Sequence, residues 1–94
     1  MYVAYTLVHL KNRRAAKEIW KDAKTTKKRL SKVADSMAIC DNPVLAKFGY
    51  RKFHFQKHAF IMIYRIVDNM VVVDGMFHEL QDYESIFVDE MKLE

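Results

Sequence analysis

The chain has 94 residues, of which 51% are hydrophobic and 13% aromatic, with two glycines and one proline. This length corresponds to a single domain, residues 1–94, and leaves no room for a separate cofactor-binding module. The composition excludes a largely disordered chain and disfavours a turn-rich all-β scaffold. Sixteen basic residues against twelve acidic ones give a formal charge of +4, which favours an anionic partner.

The charge is distributed unevenly along the chain. Residues 11–32 contain ten basic side chains and two acidic ones, whereas residues 79–94 contain six acidic side chains and one lysine. The protein is therefore basic in its first third and acidic at its end. Such a basic segment is typical of a surface that binds phosphate groups or an acidic protein.

A single cysteine, Cys40, excludes an internal disulfide and a zinc site built from several thiolates. It lies in the apolar run of residues 37–40, so we expect a small buried side chain rather than a nucleophile. Residues 1–10 lack the features of a signal peptide, and the longest apolar stretch, residues 59–64, is too short to cross a bilayer. We therefore expect a cytoplasmic protein without membrane contact.

The first part of the chain predicts one strand followed by two helices. Residues 2–9 are apolar and rich in β-formers, which predicts the first strand, and the end of a helix is the alternative for so short a run. From residue 11 the apolar side chains recur at helical spacing, first at Ala16, Ile19, Trp20 and Ala23 and then at Leu30, Val33, Ala34, Met37 and Ala38. Thr25-Thr26 between the two runs predicts a helix cap, and the Asp-Asn-Pro of residues 41–43 predicts the end of the second helix. Residues 11–40 are thus predicted to form a helical hairpin with a basic outer side.

The rest of the chain, after a connection over residues 43–48, predicts three strands and a helix. Residues 49–55 alternate between apolar and polar side chains, and residues 60–67 and 70–77 are mostly apolar, as expected of central strands. Asp68-Asn69 predicts a tight turn, and Asp74-Gly75 a bulge. Apolar side chains at helical spacing near the end, namely Tyr83, Ile86, Phe87 and Met91, predict a short amphipathic helix.

Together these elements predict an α+β fold. A small twisted antiparallel sheet of about four strands would carry an N-terminal helical hairpin and a short C-terminal helix, in the order β-α-α-β-β-β-α.

The alternation in the second strand directs attention to one set of side chains. If Phe53 and Phe55 face the core, then Tyr50, Lys52 and His54 share the opposite face. An aromatic ring, an ammonium group and an imidazole suit an RNA segment, because they can stack on a base, bind phosphate and transfer protons. A sheet face that is simply solvated carries the same residue types, so both interpretations remain open.

Other polar side chains have competing structural interpretations. His54 and His58 have a spacing that binds metals on a helix, but they flank a strand end, and no metal site is expected. His78 is either hydrogen-bonded within the fold or a catalyst, and Tyr83 belongs either to the core or to a site. Arg65 lies within an apolar strand and is best explained by an outward position on the same face.

No nucleophile motif, glycine-rich phosphate loop or dinucleotide fingerprint is present, so no cofactor is expected. Acid–base chemistry on an anionic substrate, or binding without chemistry, remains.

Over nearly the whole chain, the sequence resembles the RelE/ParE superfamily of toxins, both in the order of its elements and in four segments. These segments are Phe-Gly-Tyr-Arg-Lys-Phe at residues 48–53, Ile-Tyr-Arg-Ile-Val-Asp-Asn at residues 63–69, Val-Val-Val at residues 71–73, and His78. The resemblance implies the toxin of a bacterial or archaeal toxin–antitoxin pair, inhibited by its cognate antitoxin protein. RelE-like members cleave mRNA on the ribosome without a metal, by attack of the 2′-hydroxyl on the neighbouring phosphate. ParE-like members instead inhibit DNA gyrase and have no known nuclease activity.

The resemblance also assigns roles to residues of this chain. It implies catalytic roles for Lys52, His54, His78 and Tyr83. The candidate substrate-binding residues are Tyr50 and Arg65, from the strand pattern, and Arg51, Lys57 or Arg65 as substitutes for arginines of the family that this chain lacks. Two arginines of the family are absent, since Ile61 stands at the position of one, and Glu-Leu-Gln at residues 79–81 surrounds the position of the other. A RelE-like endonuclease, a ParE-like gyrase inhibitor and an inactive homologue therefore all remain open.

Overall fold

The computed structural model describes residues 1–5 and 13–92 and confirms an α+β fold with four strands. The elements are β1 (Tyr2–Tyr5), α1 (Arg13–Val33), a 3₁₀ turn (Ala34–Ser36), α2 (Pro43–Lys47), β2 (Arg51–His54), β3 (Phe60–Val67), β4 (Met70–His78) and α3 (Tyr83–Met91). The predicted first strand is present as β1, and the remainder of residues 2–9 lies outside the described part of the chain. No helix within the described ranges is long and apolar enough to cross a membrane.

The strands form one sheet in the order β1-β4-β3-β2, which leaves β2 at one edge. β2 and β3 pair antiparallel, as do β3 and β4, but β1 pairs with β4 in parallel. The prediction of an antiparallel sheet was therefore wrong for β1, and the sheet is mixed. The chain reverses direction between β2 and β3 and again between β3 and β4, so β4 runs parallel to β2. The crossover through α1 brings the chain back before β2 begins, so β2 also runs parallel to β1.

The β3–β4 hairpin follows the prediction in detail. Asp68 and Asn69 form its two-residue turn with φ values of 49° and 63°, the left-handed conformation that such turns require. The register shifts where Ile63 pairs with Gly75 and Tyr64 with Val73, so the predicted bulge lies at Asp74.

Gly75 is required by packing at this bulge. A Cβ atom there would lie 2.6 Å from Cε2 of Phe77 and 3.2 Å from Cδ1 of Phe87. The absent side chain therefore allows α3, which carries Phe87, to approach the sheet closely.

The predicted helical hairpin was wrong, because α1 is one helix that continues through Thr25 and Thr26. Thr25 donates its hydroxyl hydrogen bond to the carbonyl oxygen of Lys21, at 3.3 Å. Thr26 is fully buried and donates to the Asp22 carboxylate, at 3.3 Å. Both hydroxyls thus find partners one turn earlier in the same helix, so neither acts as a cap.

The chain beyond α1 also differs from the second predicted helix. After the 3₁₀ turn, residues 38–40 run extended beside β2: the amide of Cys40 donates to the carbonyl oxygen of Tyr50, at 2.9 Å. The residues Asp-Asn-Pro do not end a helix but begin α2, since the Asn42 side chain accepts from the amide of Val44, at 2.9 Å, and Pro43 occupies the first turn.

Hydrophobic side chains cover both faces of the sheet. The core cluster between this sheet and α1 consists of Val3, Ile19, Ala23, Leu30, Ala34, Phe53, Phe55, Met62, Tyr64, Val71, Val73 and Met76. The opposite face, covered by α2 and α3, is formed by Cys40, Leu45, Tyr50, Ile61, Ile63, Phe77, Phe87 and Val88. Cys40 is buried as predicted, and burial raises the pKa of its thiol to about 12, which makes it a poor nucleophile.

Candidate nucleic-acid interface

Tyr50 does not lie on an open face with Lys52 and His54, so the prediction that the three share a solvated surface was wrong. The Tyr50 side chain is buried, and its ring contacts Phe87 edge to face at a centroid distance of 5.1 Å. Burial, and then the neighbouring Asp74 carboxylate, raise the pKa of its hydroxyl to about 12. The physical reason is α3, which covers this end of the second face and removes Tyr50 from any role in stacking on a base.

Lys52 lies on the same face as Tyr50 but at its margin, where its ammonium group meets two carboxylates. Its Nζ atom lies 3.3 Å from Oδ2 of Asp41 and 3.5 Å from Oε2 of Glu84. Burial by itself lowers the pKa of Lys52. The oxygens of Tyr83, Asp41 and Glu84 outweigh that effect, so the pKa is raised above its ordinary value. Lys52 therefore carries a positive charge at neutral pH and is suited to bind an anion rather than to accept a proton.

His54 ends β2 on the same face as Lys52 and is open to solvent. Its side chain is 65% exposed, and Nδ1 lies 3.3 Å from Oε2 of Glu79. A carboxylate on one imidazole nitrogen orients the ring and leaves the other nitrogen free to exchange a proton with a substrate.

His78 lies on the other face of the sheet from His54. It pairs with Phe60 in the register of β3 and β4, and the two rings contact each other at 5.4 Å. Its backbone amide donates to the Gln81 side chain at 3.0 Å, and its Nδ1 accepts from the amide of Leu80 at 3.1 Å. These contacts close the turn after β4, so the structure gives His78 a structural environment and does not bring it to His54.

Arg65 and Asp74 form an ion pair beside the buried tyrosine. Nε of Arg65 donates to Oδ2 of Asp74 at 2.9 Å, and its guanidinium lies 5.8 Å from the centre of the Tyr50 ring. The Asp74 side chain is only 2% exposed, whereas that of Arg65 is 43% exposed. Arg65 thus compensates a buried carboxylate at the bulge, away from His54.

The remaining candidate residues, Arg51, Tyr83 and Lys57, lie at different places around β2. Arg51 points to the α1 side, where its guanidinium donates to the carbonyl oxygen of Met37. Tyr83 begins α3, is half-buried against the second core and acts electrostatically on Lys52. The Lys57 side chain is exposed in the loop between β2 and β3. Of the eight residues, Lys52 and His54 are the pair that the structure places along one groove.

That groove, here called the β2 groove, lies along β2 and has a volume of about 390 Å³. Its polar lining consists of Arg29 from α1, Lys52 and His54 from β2, and Gln56. Its remaining lining residues are Met37, Phe53 and Phe55. None of these lining residues is acidic. Because Lys52 contacts the carboxylates of Asp41 and Glu84, and His54 that of Glu79, an anionic ligand competes with these acids for both groups.

A buried network fixes the loop that ends this groove. Oδ2 of Asp22 accepts from the amide of Lys57 at 3.0 Å, and from the amide and Nδ1 of His58, both at 2.7 Å. Thr26 accepts from the amide of Gln56 at 3.2 Å. The loop between β2 and β3 is therefore bound to the middle of α1 through a single carboxylate and a single hydroxyl.

Burial by itself raises the pKa of Asp22. The hydrogen bonds that its carboxylate accepts, first of all from the His58 side chain, outweigh burial and hold the pKa below its ordinary value. His58 is thus occupied by Asp22 rather than by a metal with His54. Across the described residues, no group of three or more histidine, cysteine, aspartate or glutamate side chains is placed to hold a metal ion.

No protein-family model, no curated protein and no solved structure matches this chain. The geometry of the described residues therefore carries the functional argument.

Two parts of this arrangement were not predicted. Arg29 is one of ten basic residues in the same segment of sequence, and no periodicity distinguishes the one that reaches β2. Asp22 is one of two acidic residues in this basic segment. It lies at helical spacing with the apolar side chains of α1, and this position could have indicated that it is buried.

Proposed function

We propose that the chain is the toxin of a toxin–antitoxin pair and acts in the cytoplasm as a RelE-like, ribosome-dependent mRNA endonuclease. The observation that carries the proposal is the β2 groove, which brings Arg29, Lys52 and His54 to one cationic surface. An imidazole can accept the proton of the 2′-hydroxyl, and positive charges stabilise the negative charge that develops on the phosphate.

In this mechanism the 2′-hydroxyl oxygen attacks the adjacent phosphorus while His54 accepts its proton. Lys52 and Arg29 stabilise the additional negative charge on the phosphate oxygens in the transition state. The bond from phosphorus to the 5′ oxygen breaks, and that oxygen takes a proton from water. The products are a cyclic 2′,3′-phosphate and a free 5′-hydroxyl, and the ribosome positions the mRNA for the attack.

A cognate antitoxin is the second partner in this proposal. The β2 groove is open and lined by cationic groups, so an acidic segment of the antitoxin would cover it and exclude RNA. This inhibition requires no change in the conformation of the toxin.

A second candidate function is inhibition of DNA gyrase without cleavage. It is favoured because several family positions of the catalytic site are not available at the β2 groove. Tyr50 is buried, His78 lies on the other face, and Ile61 at the position of a family arginine is fully buried. A toxin that acts by binding alone needs none of these residues at a substrate.

The two candidates differ in what expression of the chain does to a bacterial host. Induction without an antitoxin should arrest growth, and mapping of mRNA 5′ ends should reveal new cuts in phase with codons. Growth arrest with intact mRNA and induction of DNA-damage signalling would instead support gyrase inhibition. Undisturbed growth at a confirmed expression level would contradict both proposals.

A further inference from the structure

A second groove adjoins the β2 groove on the side of α1. It has a volume of about 350 Å³ and is lined by Thr25, Lys28, Arg29, Lys32 and Gln56. Arg29 and Gln56 line both grooves, so the two grooves are neighbours. We call the second groove the α1 groove.

The residues that line the α1 groove are basic or polar, and the carbon stems of their side chains form most of its surface. Lys28, Arg29 and Lys32 are all exposed, and the other two lining residues contribute a hydroxyl and an amide. No acidic side chain lines either groove, although the whole chain carries twelve acidic residues. A ligand with several negative charges is therefore favoured over a neutral one.

The spacing of the charges favours a chain of phosphates. Lys28 and Lys32 are separated by one helical turn, about 6 Å along the axis. Successive phosphates of an extended single strand lie at a comparable distance, so each lysine can meet one phosphate. Arg29 lines both grooves, so its guanidinium is available to a phosphate that lies between the two.

The wall of the α1 groove is preformed. Gln56 lies in the loop whose amides are bound by Asp22 and Thr26, both of them buried in α1. A ligand therefore does not have to order this loop when it binds, which lowers the entropic cost of binding.

We propose that the α1 groove is a phosphate-binding subsite for single-stranded nucleic acid, in which Lys28 and Lys32 bind the backbone next to the nucleotides in the β2 groove. The proposal rests on the proposed function, because RNA in the β2 groove sets the path of the strand. The lining offers no aromatic side chain on which a base could stack, so this subsite binds without sequence preference.

The test is equilibrium binding of the full chain to a short fluorescein-labelled single-stranded RNA, measured by anisotropy over a series of salt concentrations. The variant K28A/K32A removes the two charges, and K17A/K21A is the matched control. Lys17 and Lys21 are exposed on the same helix, also one turn apart, but line neither groove. Alanine preserves helix propensity in both variants.

We expect K28A/K32A to bind the RNA about tenfold more weakly at low salt. The slope of log affinity against log salt should fall by about 1.4, which corresponds to two lost phosphate contacts. K17A/K21A should change the affinity by less than about twofold. Single-stranded DNA of the same sequence should give the same difference between the variants if the subsite reads phosphates alone, and a smaller one would contradict that claim.

Equal losses in the two double variants would overturn the proposal, since they would indicate a diffuse charge effect of α1. An unchanged affinity of K28A/K32A would also overturn it. If an acidic peptide displaces the RNA from the wild type but not from K28A/K32A, while K28A/K32A still binds RNA normally, the groove is a peptide site and not a subsite. The assay measures binding without cleavage, so an inactive endonuclease would leave its result intact.

Discussion

Replacement of Asp22 by alanine is expected to lower the free energy of unfolding by about 3 kcal/mol. The carboxylate is almost fully buried and accepts from two backbone amides, one imidazole and one hydroxyl. Its removal leaves these donors without their acceptor, in a place that water reaches poorly. The free energy should be measured by urea denaturation of the purified protein.

The matched control is Asp89→Ala, which removes an exposed acid from α3 and should change the free energy by less than about 0.5 kcal/mol. Asp22→Asn keeps one carbonyl oxygen and should fall between the two. If Asp22→Ala were as stable as the control, the hydrogen bonds to Asp22 would not stabilise the loop. That result would contradict the claim that the wall of the α1 groove is preformed.

The same network makes a prediction about pH. The pKa of Asp22 is held below its ordinary value in the folded protein. Its contribution to stability is therefore fully present above the ordinary aspartate pKa, about 4, and is lost as the pH falls through the folded pKa. The difference in stability between the wild type and Asp22→Asn should be constant near neutral pH and should shrink in acid.

Replacement of His54 by alanine is expected to reduce mRNA cleavage on purified ribosomes by about a hundredfold or more, the usual contribution of a proton-transferring group. The side chain is 65% exposed and contacts Glu79 at its Nδ1 atom, so its loss should leave the stability unchanged. Glu79→Gln removes the carboxylate that orients the ring and should reduce cleavage by about tenfold.

His78→Ala is the informative comparison for His54. The resemblance gives both histidines catalytic roles, whereas the structure separates them by the thickness of the sheet. We expect His78→Ala to act mainly on stability, through the turn that His78 closes with Leu80 and Gln81. Equal losses of cleavage in folded His54 and His78 variants would show that the β2 groove is not where the reaction occurs.

Where the residues themselves determine the local structure, the sequence predicted it well. The β3–β4 hairpin and its bulge follow from apolar runs separated by Asp68-Asn69 and interrupted by Asp74-Gly75. Both features depend on neighbours in the chain, since the turn needs two left-handed residues and the bulge a small one.

Where distant segments meet, local patterns were insufficient. Threonine often caps helices, and Thr25-Thr26 therefore predicted a helix end. The contacts of Thr26 with Asp22 and with the amide of Gln56, thirty residues later, explain why α1 continues instead. The alternation placed Tyr50 correctly on the face of Lys52. That α3 covers this face follows from packing that no local pattern specifies.

The candidate site shows the same limit. Lys52 and His54 were found because one strand carries both, and alternation alone puts them on one side. Arg29 comes from α1, and nothing in the sequence distinguishes it from the nine other basic residues of its segment until the helix is packed on the sheet. Conversely, the sequence pattern assigns Tyr50 and His78 to the site, but Tyr50 is buried under α3 and His78 lies on the other face of the sheet.

The most direct test of the β2 groove as the working site is therefore Arg29→Ala, measured as the rate of mRNA cleavage on purified ribosomes. Lys24→Ala is its control, because Lys24 is an exposed base of the same helix that lines neither groove. We predict that Arg29→Ala loses about tenfold or more of the rate, while Lys24→Ala stays within about twofold of the wild type. Equal rates for the two variants, or no cleavage by the wild type, would contradict the assignment.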